Sequence, residues 1–463
     1  MSQVSAESGS FRDRRGRIFY VDGRVLRTVM PMAADDFDFV RGSGLIDELH
    51  SRGKVIGEEI VDAALLGEHA ADAHYVLEHP RLPFVSYPYE WSFSALKAAA
   101  LLHLDIQQAA LKKGVTMTDA TAYNIQFIGP RPVFIDSLSF RRYQEGEYWA
   151  GHRQFCEQFI NPLLLRSFNG IPHNAWYRGE LEGISAENLS RLLPWRSRLS
   201  WNVLTNVFMQ ARLQNNSGSD DAIRKAKTRK LPRIGFEQIL HGLRKWITRL
   251  EPGHDGKTVW QDYATDNSYA DDEAVNKRRF IAEFSSAVKP ALILDIGCNT
   301  GDYSIAALEN GAELAVGFDF DHGALEYGYR RAVSDGLNFQ PLHLDAANPS
   351  PNQGWMQAER MGFRERANAD AVMGLALIHH LAIAKNLPLA GVIEWLVDMA
   401  PHGVLEFVPK NDAMVQRLLQ MREDLFSDYD QANFEEQLNS RARIVKSEVV
   451  SASGRVLYWF DRH

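Results

Sequence analysis

Residues 292–301 combine an apolar run, an aspartate and two glycines at a spacing that suits a ligand site. The apolar run ends in Asp295, and Gly297 and Gly301 follow it. Glycines let a backbone approach a nucleotide-like ligand closely and adopt dihedral angles that other residues avoid. A second apolar run ends in Asp319, near the offset of about 20 residues at which an acidic residue meets ribose hydroxyls in doubly wound folds. The pattern predicts a nucleoside-binding turn between a buried strand and a helix.

The segment Asp295-x-Gly297-x-x-x-Gly301 resembles motif I of class I S-adenosylmethionine (SAM)-dependent methyltransferases. Asn299 stands at the usual central glycine, a substitution that recurs in that family. Because dinucleotide sites need three glycines facing the phosphates, Asn299 argues against a pyrophosphate cofactor. The resemblance implies an α/β fold with a Rossmann-like seven-stranded methyltransferase sheet in the C-terminal half, and SAM as the cofactor.

The resemblance also implies which residues contact SAM. Asp319 would bind the ribose, because a diol needs a bidentate acceptor at that strand end, whereas Asp321 is expected to cap the next helix. Asp345 and Ala346 would face the adenine, and a loop and helix ahead of motif I would cover the pocket. The full expected set is Tyr269, Lys277, Asp295, Gly297, Asn299, Gly301, Asp319, Phe320, Asp345, Ala346 and Leu375.

Two histidines follow the predicted fourth strand of this domain. Methyl transfer from a sulfonium is an in-line displacement, and a hydroxyl acceptor must also lose a proton. No Asn-Pro-Pro-Tyr or Asp-Pro-Pro-Tyr follows that strand, which disfavours amino-group methylation of a base or glutamine. His379 and His380 stand there instead, and imidazole titrates near neutral pH. We expect His380 to be the general base; the alternative is a histidine that packs under the sheet or caps a helix.

Charged residues follow the predicted fifth strand. Glu406 lies near its end, with Lys410 and Asp412 after it. A buried carboxylate beside a lysine could form an ion pair that holds the loop, or it could orient the acceptor. Both alternatives stay open, and these three residues complete the predicted catalytic set with His380.

Strand-like and helical stretches alternate through the C-terminal half, which predicts a wound α/β sheet. Ligands bind at the carboxyl ends of the strands in such sheets, and the residues singled out above lie there. The predicted strands cover residues 292–296, 315–319, 338–344, 369–378, 403–408, 442–450 and 455–460.

The composition limits the broad class of protein. A chain of 463 residues suggests two or three domains. The 51 basic and 59 acidic residues give a net charge of −8, which disfavours nucleic acid as the main partner. Two cysteines, Cys156 and Cys298, exclude a disulfide framework, so a reducing, cytoplasmic location is expected. No signal peptide or membrane span is expected.

The predicted domain boundaries follow shifts in composition. Residues 1–10 are small and polar and predict a flexible tail. A first domain is expected over 11–213 and a polar, basic linker over 214–234, followed by the methyltransferase domain over 235–463. The basic run within the linker could bind an anionic glycan or lipid surface, and a solvated linker is the favoured interpretation.

The N-terminal half predicts an α+β domain. An alternating pattern with an Asp-Gly pair predicts a hairpin over 17–29. A helical region is expected over 34–66, a strand running into an aromatic turn over 83–91, and a long helix over 94–113.

Asp119, Asn124 and Asp136 have a spacing that resembles the catalytic loop of protein-kinase-like folds. The resemblance implies Asp119 as a base and Asn124 and Asp136 as ligands of Mg²⁺ for ATP, since Mg²⁺ prefers oxygen ligands. No Gly-rich phosphate loop occurs over 11–35, and Arg27 is the nearest cation to the position of the usual lysine. An active divergent kinase, a degenerate substrate-binding module and a chance match all stay open.

The whole chain resembles bacterial nodulation-type methyltransferases. This resemblance depends on Asp-Ala-Thr-x-Tyr-Asn and Tyr-Pro-Tyr-Glu-Trp segments in front of a SAM domain. The architecture is also similar to bifunctional enzymes that cap bacterial surface polysaccharides. We expect O-methylation of a small molecule, sugar or glycolipid that the kinase-like module binds or shapes. The alternatives are a bifunctional kinase–methyltransferase and a non-catalytic SAM-binding sensor or scaffold. The methyl acceptor and the oligomeric state stay open.

Overall fold

A computed structural model describes residues 4–215, 230–253, 269–420 and 423–463, and the side chains within these ranges except those of 213–215 and 269–271. Most of the predicted linker lies outside the described residues. The chain divides into two compact units. The first comprises residues 1–127, 132–254 and 352–360, and the second comprises 128–131, 255–351 and 361–463.

The boundary between the units differs from the predicted one at residue 235. The helix Arg233–Thr248 belongs to the first unit, as does the segment 352–360 from the C-terminal half. That segment is held by polar contacts: Gln353 Nε2 donates to Arg178 O at 2.6 Å, and Arg12 forms an ion pair with Glu359. These contacts come from residues far apart in sequence, so composition along the chain does not predict them.

The first unit contains a five-stranded antiparallel sheet in the order β1-β2-β3-β5-β4. The predicted hairpin is confirmed: β2 and β3 meet at Asp22 and Gly23, whose φ values are 48° and 82°, as a two-residue hairpin turn requires. The strand β1 lies where a flexible tail was predicted, and it is ordered by pairing with β2. The strands are β1 Val4–Ala6, β2 Ile18–Val21, β3 Arg24–Val29, β4 Glu59–Val61 and β5 Tyr75–His79.

Two of the predicted elements next to this sheet differ in the structure. The predicted helical region 34–66 contains α1 (Pro31–Gly42) and α2 (Leu45–Ser51), but then the strand β4. The segment predicted as a strand over 83–91 contains only a short 3₁₀ turn, Pro88–Glu90. Two prolines in that segment lack the N–H groups that a ladder needs, which explains why it does not pair.

The remainder of the first unit is mainly helical. The predicted long helix is confirmed as α3 (Phe93–Lys112), which Ser92 caps by accepting from Ala95 N. Two short strand pairs follow it: β6 (Val115–Met117) with β9 (Phe140–Arg142), and β7 (Ile125–Ile128) with β8 (Arg131–Phe134). The turn of the second pair, residues 128–131, belongs to the second unit. The other helices are α4 His152–Phe155, α5 Asn161–Asn169, α6 Asn174–Gly179, α7 Ala186–Leu192, α8 Trp201–Val203, α9 Met209–Asn215 and α10 Arg233–Thr248.

The second unit contains the predicted seven-stranded sheet, in the order β12-β11-β10-β13-β14-β16-β15. The first five strands along the chain are parallel, and β16 runs antiparallel to both β14 and β15. The α/β fold is therefore confirmed. The strands are β10 Leu292–Ile296, β11 Leu314–Asp319, β12 Phe339–His343, β13 Ala371–Gly374, β14 His402–Phe407, β15 Ala442–Val449 and β16 Val456–Arg462.

Helices lie between these strands and bury their apolar faces against the sheet. Phe280 and Phe284 of α11 join Phe339 of β12 in one buried cluster. Of the described helices, none is long and apolar enough to cross a lipid bilayer. The helices of this unit are α11 Tyr269–Val288, α12 Asp302–Glu309, α13 His322–Asp335, α14 Phe363–Arg366, α15 Leu389–Val397, α16 Ala413–Leu419 and α17 Gln431–Asn439.

Candidate active site

The glycine turn after β10 folds tightly onto the end of β11. The backbone N–H groups of Gly297 and Cys298 both donate to Phe318 O, at 2.7 and 3.0 Å. Gly297 and Gly301 have φ values of 86° and 87°, which favour glycine. A Cβ atom at Gly301 would lie 2.4 Å from the ring of Phe339, so a larger residue does not fit. The spacing of the glycines is therefore explained by the turn itself.

Asp319 fixes the other side of this turn. Its Oδ2 accepts from Asn299 N and its Oδ1 from Asp321 N, each at 2.8 Å. The side chain is 6 % exposed, and burial raises its pKa above the ordinary value. The backbone N–H of the next residue also contributes a hydrogen bond that lowers this pKa. A carboxylate has about four lone-pair sites, so capacity remains for a ligand hydroxyl. Asp321 caps α13 by accepting from Gly323 N and Ala324 N, which confirms its predicted role.

Asp295 lies beneath the turn and not on its surface. It is 2 % exposed and accepts from Ser304 Oγ of α12 at 2.6 Å. Burial raises the pKa of Asp295 to about 7, and the nearby charge of Asp319 contributes to the shift. Asp295 therefore ties the strand to the following helix. Ser304 was not predicted, because a serine inside an apolar helix carries no local signal of a carboxylate partner.

The remaining predicted cofactor residues surround the same strand ends. Phe320 directly follows Asp319, and its side chain is 64 % exposed. Asp345 and Ala346 follow β12 and are half-buried, and Leu375 is buried just after β13. An exposed aromatic ring beside a carboxylate offers a face for a nucleobase.

One further predicted cofactor residue, Tyr269, begins α11. Its side chain lies outside the described residues.

Lys277 of α11 occupies the centre of a buried ion pair. Its Nζ lies 2.7 Å from Glu273 Oε1 and 2.8 Å from Glu406 Oε1. Burial by itself lowers the pKa of Lys277, but the Glu406 and Glu273 carboxylates outweigh burial and raise it above the ordinary value. Glu406 is fully buried in β14, and its Oε2 accepts from Ala376 N at 2.9 Å. Glu406 thus holds the loop that follows β13.

Arg455, just before β16, extends this ion pair. Its guanidinium donates twice to Asp412, at 2.8 and 3.0 Å, and its Nη1 lies 3.1 Å from Glu273 and 3.6 Å from Glu406. Although burial raises the pKa of Asp412, hydrogen bonds from Arg455 and Ser453 lower it to about 2. We call Glu273, Lys277, Glu406, Asp412 and Arg455 the C-terminal ion cluster.

The C-terminal ion cluster differs from the predicted catalytic arrangement in one respect. The lysine beside Glu406 is Lys277, whereas Lys410 binds Asp424, with both Nζ–Oδ distances at 2.9 Å. Glu406 and Asp412 come together, as their sequence positions suggest. Arg455 and Glu273 were missed, because they lie 182 residues apart in the chain and only the sheet brings them together.

The two predicted histidines differ in their surroundings. His379 is 1 % exposed, and within the described part of the chain neither of its ring nitrogens has a hydrogen-bond partner. His380 is half-buried, and its ring centroid lies 4.2 Å from that of His379. Burial, followed by the charge of Arg455, lowers the pKa of His380. A neutral imidazole at neutral pH can accept a proton, so the structure leaves His380 able to act as a base.

The first unit brings together the residues predicted from its kinase-like spacing. Asn124 Nδ2 lies 3.3 and 3.4 Å from the carboxylate oxygens of Asp119 and donates to Ser139 Oγ at 3.1 Å. Ser139 Oγ in turn donates to Asp136 Oδ2 at 2.8 Å. Burial raises the pKa of Asp119 to about 6, and Asp136 contributes to this shift.

Asp136, one of the predicted metal ligands, binds a protein cation. Arg27 Nη1 lies 2.6 Å from Asp136 Oδ1, and Nη2 lies 2.7 Å from Asp13 Oδ2. Burial raises the pKa of Asp136, but Arg27 and Ser139 outweigh burial and lower it. Among the described residues, no group of three or more His, Cys, Asp or Glu side chains could hold a metal ion. We call Asp13, Arg27, Asp119, Asn124 and Asp136 the N-terminal polar cluster.

Comparison with known proteins gives the family. The chain is 45 % identical over 457 residues to nodulation protein NoeA of Rhizobium meliloti (strain 1021), a match that covers 98 % of this chain and 96 % of that protein. The chain belongs to the NoeA family. This confirms the predicted resemblance to nodulation-type proteins along the whole chain.

Other relatives match only part of the chain. Ribosomal protein L11 methyltransferase of Azotobacter vinelandii is 46 % identical over 59 residues, which are 12 % of this chain and 20 % of that protein. The structure of N-methyltransferase NodS from Bradyrhizobium japonicum WM9 aligns with 42 % of this chain and 98 % of its own, at 15 % identity and a TM-score of 0.31. No family model matches the chain. Together with the seven-stranded sheet, the sequence relatives support a methyltransferase.

Proposed function

We propose that the second unit binds SAM and transfers its methyl group to an oxygen nucleophile of a small molecule, a sugar or a glycolipid. The observation that carries this proposal is the glycine turn pinned against Asp319, with the exposed ring of Phe320 directly beside it. Both features occur at the carboxyl ends of parallel strands, where ligands bind in sheets of this kind.

The chemistry of these residues fits a sulfonium nucleoside. Asp319 is held in place by backbone N–H groups and keeps acceptor capacity for a ribose hydroxyl. Phe320 and Leu375 supply apolar surface for the adenine, and Asp345 supplies an acceptor for its amino group. SAM, when bound, supplies an electrophilic methyl group for an in-line displacement.

The protein residues supply alignment and proton removal. His380 accepts the proton of the acceptor hydroxyl on a ring nitrogen as the methyl group is transferred. The C-terminal ion cluster acts through the loop after β13: Glu406 holds Ala376 N, and this bond sets the path of the chain toward His380. Every carboxylate of that cluster faces a cation, so we assign it to positioning and not to proton transfer.

Titration calorimetry with SAM and with its demethylated product tests the cofactor assignment. Asp319→Ala should weaken binding by about 10- to 100-fold, since it removes hydrogen bonds to a charged group. The matched control is Asp321→Asn, which lies two residues away and keeps the oxygen that caps α13. Saturable binding by the purified protein is expected. If neither nucleoside binds, or if Asp319→Ala binds as tightly as the control, the cofactor assignment fails.

Labelled SAM with fractionated cell extract tests the acceptor class. Mass spectrometry of the labelled product should find the methyl group as an ether on a sugar, glycolipid or small molecule. A methylated nitrogen would contradict the oxygen acceptor. Tight SAM binding without transfer to any fraction would favour a sensor or scaffold over an enzyme.

A second activity, phosphoryl transfer from ATP–Mg²⁺, is favoured by one observation. Asp119, Asn124 and Asp136 meet in the N-terminal polar cluster, in the order expected for a base and two metal ligands. Arg27 opposes this activity, because its guanidinium binds Asp136 where Mg²⁺ would bind. Binding of ATP–Mg²⁺ to the full chain, and its loss in Asp136→Ala, would support the activity. The absence of binding would exclude it.

A further inference from the structure

Three large apolar side chains protrude close together from the helical part of the first unit. Trp195, Leu199 and Trp201 are 69, 81 and 72 % exposed. Leu192, just before them, is 43 % exposed. Isolated exposed apolar residues are common, but a run of them in one short segment marks an interaction site. We call residues 192–201 the tryptophan surface.

The backbone of the tryptophan surface is held in place. Leu193 and Ser197 are buried between the exposed side chains, and Val203 is buried just after them, so the segment is anchored along its length. Ser197 N donates to Pro194 O at 2.9 Å, and Leu204 N donates to Ser200 O at 2.9 Å. These bonds form the 3₁₀ turn Trp195–Leu199 and the start of α8. The exposed rings are therefore presented by ordered backbone.

The charge of this region is opposite to that of the whole chain. The chain has a net charge of −8, yet residues 188–219 contain four arginines and no aspartate or glutamate. Arg196 Cζ lies 5.6 Å from the ring centroid of Trp195, and Arg198 Cζ lies 4.7 Å from that of Phe208. No carboxylate in the described ranges forms an ion pair with Arg196 or Arg198. As far as the described residues go, both guanidinium groups are therefore available to an anionic partner.

We propose that the tryptophan surface docks the protein on the surface of an anionic lipid bilayer. Tryptophan favours the interface between headgroups and acyl chains, where an aromatic ring meets both apolar and polar surroundings. Arginine beside it can reach the lipid phosphates while its methylene stem stays on apolar surface. Alternation of exposed apolar and basic residues is typical of segments that lie in this interface.

Charge favours a bilayer over a second copy of the chain. A two-fold interface places the same surface on both sides, so it would bring Arg196 and Arg198 of two copies close together. Like charges facing each other across an interface oppose association. An anionic bilayer instead pairs each guanidinium with phosphate, and it accepts the protruding rings without a complementary pocket.

Cosedimentation of the full-length protein with lipid vesicles tests the proposal. We expect binding to vesicles of phosphatidylcholine mixed with phosphatidylglycerol, and much weaker binding to phosphatidylcholine alone. Trp195→Ser with Trp201→Ser should lower the partition coefficient by about tenfold or more. Arg196→Gln with Arg198→Gln should lower it by about fivefold per arginine at low salt. The matched control is Met32→Ser with Tyr327→Ser, which removes side chains that are 69 and 60 % exposed elsewhere.

Three results would overturn the proposal. The first is equal binding by the tryptophan variant and the control variant. The second is binding that does not depend on the anionic lipid. The third is a dimer in sedimentation velocity that the tryptophan substitutions dissociate, together with no uptake by vesicles, because a second copy would then cover this surface. Thermal melting of each variant checks folding. Substitutions at exposed positions should leave the melting temperature nearly unchanged.

Discussion

The C-terminal ion cluster and the N-terminal polar cluster each contain three carboxylates, but they differ in the number of cations that neutralise them. In the C-terminal cluster, Glu273, Glu406 and Asp412 share two cations, Lys277 and Arg455, and each carboxylate lies within 3.1 Å of one of them. The N-terminal cluster has one cation, Arg27, which binds two of its three carboxylates.

The carboxylate left over is Asp119, whose described partners are an amide and a neighbouring hydroxyl. Burial, followed by the charge of Asp136, raises the pKa of Asp119, whereas hydrogen bonds from Arg455 and Ser453 outweigh burial and lower the pKa of Asp412. Complete pairing suits a cluster that positions loops. A carboxylate without a cation beside it is costly to the fold, and among the described residues Asp119 is the carboxylate of the N-terminal cluster that lacks one, which makes it the group best placed to exchange a proton.

The largest effect is expected from breaking the paired cluster. Arg455→Ala would leave Asp412 and Glu406 buried with one cation fewer, so the free energy of unfolding should fall by about 3–5 kcal/mol. Urea unfolding followed by tryptophan fluorescence measures this change. Arg455→Lys keeps the charge and should recover part of the loss. A change within experimental error in Arg455→Ala would show that the cluster does not stabilise the unit.

The His380→Ala variant tests whether His380 acts as the general base next to the C-terminal ion cluster, which positions the loop. Loss of a general base should lower kcat by about 100-fold or more, while SAM affinity stays nearly unchanged. Radiolabelled methyl transfer and calorimetry measure the two quantities. His379→Asn is the matched control, because that side chain is buried without a hydrogen-bond partner in the described part of the chain. Unchanged kcat in His380→Ala would remove its assignment as the base.

The Asp119→Asn variant tests whether the carboxylate without a cation in the N-terminal polar cluster makes folding stability depend on pH. The folded pKa of Asp119, about 6, exceeds the ordinary value of 3.8, so the folded state binds this proton more tightly than the unfolded state. Stability should therefore fall as pH rises from 4 to 6, by up to about 2 kcal/mol, since the side chain keeps some contact with water. Asp119→Asn should remove this slope.

The Asp136→Asn variant is the comparison for Asp119→Asn, because the pH dependence of stability that Asp136 contributes has the opposite sign. The pKa of Asp136 is lowered, so its contribution to stability is present above pH 3.8 and is lost as pH falls. Urea unfolding at several pH values measures both variants. The same slope in Asp119→Asn and in the unchanged protein would show that Asp119 does not titrate as its burial implies.

The smallest effect is expected at Lys410. Its ion pair with Asp424 is exposed, so Lys410→Ala should change the free energy of unfolding by less than about 1 kcal/mol. Urea unfolding beside Arg455→Ala compares an exposed pair with a buried one in the same unit. A loss as large as that in Arg455→Ala would contradict the distinction. A loss of kcat without a loss of stability would instead return Lys410 to a catalytic role.

Local sequence patterns were sufficient to predict those elements whose own residues favour the observed backbone conformation. The Asp-Gly pair at 22–23 predicted the hairpin because only certain residues adopt φ above zero at both central positions. The strand β4 was missed because three residues have no period of their own, and this strand exists by pairing with β5. The same holds for β1, which pairs with β2 although its composition suggests a tail.

By itself the sequence determined the seven parallel and antiparallel strands, the glycine turn and the carboxylate at the end of β11. Each depends on apolar periodicity or on backbone dihedrals that a few neighbouring residues control. The tertiary structure alone decided which charges meet: Lys277 and Arg455 at Glu406, and Arg27 at Asp136. An ion pair across the fold depends on distance and burial. Distance and burial are both properties of the packed fold, and neither is encoded in the residues next to each charge.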